Sequence, residues 1–113
     1  MITTRGDRDR PDLQNDWITV TEHAYTRWRQ RAESTRIGPR AAYYDAIVLD
    51  VEQHGEDEHD EYRYHYPSRT VLVVDRDVPE DAASSGELVT VYHVNNVRPP
   101  IARALSILGG ALP

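Results

Sequence analysis

The chain has 113 residues, thirteen basic against nineteen acidic side chains and a formal net charge of −6, with no cysteine and no phenylalanine. That length supports one domain around one hydrophobic core, and the lack of cysteine excludes disulfides, thiolate catalysis and thiolate zinc sites. No apolar run approaches the roughly 18 residues of a membrane span, and no basic segment leads into an apolar one as in a secretion signal, so a cytoplasmic setting is expected.

Residues 1–16 (MITTRGDRDRPDLQND) are polar, charged and without period, and read as a flexible arm. Residues 17–21 (WITVT) have strand character, and Thr21 is a suitable N-cap for a helix running to about Ser34. Tyr25, Trp28 and Ala32 fall at the spacing of a buried helical seam, with His23, Arg27 and Arg31 at i, i+4, i+8 on a neighbouring face. Gly38-Pro39 breaks the chain and starts a second helix. Its stripe of Tyr44, Ile47, Val48 and Val51 ends in a β-branched run that is ambiguous between helix and strand.

Residues 52–61 (EQHGEDEHDE) form an acidic loop. Three strands follow, at residues 61–66, 69–75 and 87–94. The middle one is almost wholly apolar and therefore central. Tyr62, Tyr64 and Tyr66 alternate with Arg63 and His65 and are assigned to sheet packing, while Pro67-Ser68 makes a tight turn. In the last strand Leu88, Thr90, Tyr92 and Val94 alternate with Val89, Val91 and His93. Pro99-Pro100 and Gly109-Gly110 bracket a short helix with Ile101, Ala104, Leu105 and Leu108 on one face. The expected organisation is an arm (residues 1–16), an α+β domain (17–98), and a C-terminal helix and tail (99–113).

Charge is polarised along this layout. Residues 23–40 carry five Arg against the single acid Glu33, whereas residues 41–61 carry eight acids and no Arg. Every basic residue is arginine and none is lysine, a composition similar to that of salt-adapted, archaeal proteins. In about 1 M salt the Debye length is only about 3 Å. Short, directional arginine contacts would then carry phosphate binding, and the acidic body would hardly repel RNA.

Val20-Thr21-Glu22-His23-Ala24, followed by Arg27 and Arg31, resembles the opening of a family of small domains related to RelE. The order strand, helix, helix, antiparallel strands agrees with it over roughly residues 17–96. The resemblance implies an α+β fold in which N-terminal helices pack on a curved antiparallel sheet, with the short C-terminal helix as an addition. It also implies a toxin-like, metal-independent ribonuclease, with RNA and a cognate antitoxin as partners. The acidic balance, the missing lysine, the acidic loop and the extra helix depart from the better-known toxins.

Metal-independent RNA cleavage needs a base for the 2′-hydroxyl, cations for the crowded phosphate and an acid for the leaving 5′-oxygen. The catalytic candidates are His23, Arg27, Arg31, His65 and His93, and the RNA-binding candidates are Arg63, Arg69 and Tyr92. Each has a bland alternative. His23 caps its helix or packs on Trp17; Arg27 and Arg31 pair with Glu33 or Asp45; His65 and His93 are structural. His54 and His59 flank an acidic tetrapeptide but match no zinc spacing, so no metal and no cofactor is assigned. A second functional class is a non-catalytic interaction protein, viral or plasmid-encoded. It would use its C-terminal helix to bind a protein partner or a second copy as a homodimer, and would show an exposed apolar face over residues 101–108.

Overall fold

Thr21 joins the first strand to the first helix and fixes both. In the computed structural model, which describes residues 17–51, 59–79, 81 and 83–109, β1 is Ile18–Val20 and α1 is Glu22–Arg31. The Thr21 hydroxyl accepts from the Ala24 N–H at 3.1 Å, filling one orphan donor of the helix start, and donates to the Leu88 carbonyl at 3.2 Å. The helix stops short of Ser34 because the Glu33 N–H donates instead to the Ser68 carbonyl (2.9 Å), which ties the chain to a turn of the sheet. Gly38 and Pro39 open α2, Pro39–Asp45. The ambiguous run after it resolves as strand: β2, Ile47–Val48, pairs with Tyr64 and Arg63.

The remaining strands are β3 (Glu61–His65), β4 (Thr70–Asp75) and β5 (Gly86–His93), followed by a 3-10 turn at Val94–Asn96 and α3, Pro99–Gly109. The sheet order is β1-β5-β4-β3-β2. The expected antiparallel strands β3, β4 and β5 pair as such, and β1 joins them as an edge strand parallel to β5, so the sheet as a whole is mixed. The alternation along β5 is also broken. Pairing passes from Val73↔Thr90 to Val74↔Leu88, leaving Val89 as a bulge residue, so Leu88 faces the same side as Val91. The expected arm (residues 1–16), most of the acidic loop and the last four residues lie outside the described residues.

Two cores cover the two faces of the sheet. One joins Ala24 and Trp28 of α1 and Ala42 and Tyr43 of α2 to Ile18, Leu72, Leu88 and Val91. The other joins Ile101 and Ala104 of α3 to Tyr62, Tyr64, Val71 and Val73. The first corrects the expected seam: Ala24 rather than Tyr25 is buried beside Trp28, and Tyr25 is half exposed. The apolar face of α3 is buried too, with Leu105 and Leu108 partly covered, while Ile107 is 80 % exposed.

Beside α2, the Arg76 guanidinium donates to the Tyr43 hydroxyl (2.7 Å) and to Glu61 (3.0 Å). Burial alone would lower the Arg76 pKa, but the bonds to Tyr43 and Glu61 outweigh it and hold it above the ordinary value. A raised value means that Arg76's contribution to stability is fully present below the unfolded-state pKa and fades only as pH rises through the folded one. Arg76 packs on Gly86 so closely that an added Cβ would stand 2.9 Å from its Nη1 and 3.0 Å from the Asp75 carbonyl. Gly86→Ala is therefore expected to lower unfolding stability by about 1–3 kcal/mol, read from urea denaturation. An unchanged midpoint would remove this contact from the stability argument.

Candidate functional site

The basic flank of α1 runs along the free part of β5, because β1 covers β5 only from Gly86 to Leu88. Ala24 and Trp28 face the core, so His23, Arg27 and Arg31 project to one side of them. His23 is exposed, and the Arg27 guanidinium donates to Gln30 at 2.7 Å. Arg31 is partly buried and donates to the Val91 carbonyl (2.9 Å) on the unpaired edge of β5. By helical rise His23 stands roughly 12 Å from Arg31, so the flank is a line of charge and not one cluster.

At its Arg31 end stands His93. Its Nδ1 accepts the Asn95 N–H (3.1 Å), which places the ring proton on Nε2 in the neutral form, and Nε2 lies 2.7 Å from Glu33 Oε2. The ring is thereby held at both nitrogens. The Glu33 side chain is 56 % exposed and the His93 side chain 18 %, so the pair is open to a ligand on the carboxylate side. Glu33 was not among the candidates. The signal for it was its standing as the sole acid in residues 23–40.

His65 and His93 occupy one row across the sheet, each paired with Thr70, so their Cα atoms are about 10 Å apart by strand spacing. Only His93 reaches the surface. His65 is 2 % exposed, with its ring 6.1 Å from that of Trp28. Its Nδ1 lies 2.7 Å from the Ser68 hydroxyl, which lies 2.7 Å from that of Thr70. Its Nε2 lies 3.3 Å from Asp45 Oδ2 without hydrogen-bond alignment. Glu33 and Asp45, the acids that sequence reading offered to Arg27 and Arg31, thus both face histidines.

The other candidates fall elsewhere. Arg63 is bound to Glu61, donates to the Tyr43 carbonyl (3.3 Å) and lies over the Tyr43 ring, 4.0 Å from its centre. Arg69 is exposed in the β3–β4 turn with φ 58°, its guanidinium 4.6 Å from the centre of Tyr66, and its carbonyl accepts the Val94 N–H next to His93. Tyr92 packs on the α3 face, opposite His93. His59 pairs with Asp75 at 3.0 Å, and His54 lies outside the described residues. Among the described residues no three His, Asp or Glu side chains gather as metal ligands, and no helix is long and apolar enough to cross a membrane.

Residues 20–95 match a family model described as "Putative RelE superfamily toxin domain". No curated protein and no solved structure matches the chain.

Proposed function

The chain belongs to this RelE-superfamily toxin domain family, and from that premise we propose that it binds RNA and cleaves it without a metal ion at the Glu33–His93 pair. The 2.7 Å contact between Nε2 and Oε2 carries the reading, because it sets a carboxylate and an imidazole side by side at the end of a cationic helix flank. Glu33, with the more exposed side chain, takes the proton of the 2′-hydroxyl. The oxygen so freed attacks the adjacent phosphorus, and the bond to the 5′-oxygen breaks, leaving a 2′,3′-cyclic phosphate. His93 orients the carboxylate through its Nε2–H, and the proton that Glu33 has taken passes on to the departing 5′-oxygen. Arg31 and Arg27 face the phosphate charge. A toxin domain of this family also points to a cognate antitoxin as protein partner. The interaction-protein reading is less favoured, since Ile101 and Ala104 are packed against the sheet and Ile107 is the exposed large apolar residue over 101–108.

Induced expression is expected to arrest growth, and the purified chain is expected to cut single-stranded RNA to cyclic-phosphate ends in the presence of a chelator. Arg31→Ala should relieve both effects. Harmless expression with intact RNA would remove the ribonuclease assignment and leave the fold as described.

A further inference from the structure

The other flank of α1 carries a second cationic surface, one not needed for the chemistry above. Tyr25 is 49 % exposed, and its ring stands between two adjoining hollows. One, of about 350 Å³, is lined by Arg29, Arg36, Ile37 and Gly38. The other, of about 290 Å³, is lined by Gly38, Pro39 and Arg40. The Arg29 guanidinium lies 5.6 Å from the centre of the Tyr25 ring. Arg40 is held by the Ile18 carbonyl and lies 4.4 Å from the centre of the half-exposed Trp17 ring. Among the described residues no carboxylate pairs with Arg29, Arg36 or Arg40.

We propose that this face is a track for single-stranded RNA, in which a base stacks on Tyr25 and the backbone phosphates lie against Arg29, Arg36 and Arg40. The proposal rests on the RNA reading above and adds where the strand runs. Guanidiniums that no carboxylate of the described residues engages, beside a half-open aromatic ring, are what a splayed base and its phosphates require. A duplex would offer phosphates but no free base for the ring. An acidic polypeptide would engage the arginines and leave Tyr25 without a role. Arg29 lies in the last turn of α1, the end of the helix at which Glu33 and His93 stand.

The test is fluorescence anisotropy with a labelled single-stranded RNA of about ten nucleotides, on the His93→Ala chain so that the probe stays intact. Tyr25→Ala is expected to weaken binding about tenfold, and Tyr25→Phe, which keeps the ring, less than about twofold. Joint Arg29→Gln, Arg36→Gln and Arg40→Gln should reduce the slope of log affinity against log salt by about 2. The same sequence as a duplex should bind more weakly and ignore Tyr25→Ala. Equal affinities for Tyr25→Ala and its parent, or equal losses for the Ala and Phe variants, overturn the track. So does displacement of the probe by polyglutamate with the same dependence on Tyr25, which would mark an acidic polypeptide as the occupant. Cleavage by the unmodified chain alongside any of these leaves the ribonuclease reading standing. Tyr25-dependent binding without cleavage supports the track and removes the ribonuclease. An unmodified chain that neither binds nor cuts overturns both.

Discussion

Replacing His93 with alanine is expected to slow RNA cleavage at least about a hundredfold, the lower end of what a positioned acid or base contributes. Initial rates on an unstructured RNA measure it. The loss is one of aim: Glu33, which takes the 2′-hydroxyl proton and returns it to the 5′-oxygen, is released from the 2.7 Å contact that holds it. Glu33→Gln removes the proton acceptor and keeps the aim, because the amide still reaches the imidazole but takes no proton. The same hundredfold loss is therefore expected from Glu33→Gln, although the shape of the site is kept. The ring also caps the 3-10 turn through the Asn95 N–H, so His93→Ala should cost roughly 1 kcal/mol of stability, too little to unfold the chain. Full activity in Glu33→Gln would take the base role away from Glu33. Full activity in both variants would place the chemistry elsewhere.

Trp28→Ala is expected to lower unfolding stability by about 3–5 kcal/mol, a large part of the 5–15 kcal/mol typical of a domain. The side chain is 2 % exposed and joins α1 to the sheet among Ala24, Ala42, Tyr43 and Val91. The small alanines around it leave few neighbours able to close the void. Denaturant unfolding followed by far-ultraviolet circular dichroism measures the loss. Tyr25→Ala, three residues away, should stay within about 0.5 kcal/mol, as surface changes usually do. A comparable loss for both would restore Tyr25 to the buried seam.

The contrast between these two residues shows what was legible in the sequence. Local chemistry was readable: Thr21 as a cap and Pro39 as a helix start are as expected, and the central strand expected at residues 69–75 stands at Thr70–Asp75. A seam is less so, because Ala24/Trp28 and Tyr25/Trp28 both have helical spacing. Which is buried depends on β5, more than sixty residues further on. The parallel entry of β1 and the choice of strand at Ile47–Val48 are likewise decided by distant partners. At the site, the charged flank of α1 could be located from composition alone. Choosing His93 over His65 needed the fold, since it is Trp28 and the Ser68 turn that enclose His65. Glu33 was misread because its natural partners along the helix are arginines, whereas its contact lies sixty residues away.

The bulge at Val89 has a consequence for how this chain tolerates change in length. Before it, Gly86–Leu88 serve as the parallel partner of β1; after it come Val91, whose carbonyl anchors Arg31, and His93. Because Val89 has no opposite number on β4, its removal would close the ladder into regular register. Leu88, Val91 and His93 would still look the same way. β5 is thus two short rulers spliced by one spare residue. The half that pairs with β1 can slip by a residue against the half that carries His93 without turning the imidazole to the other side of the sheet.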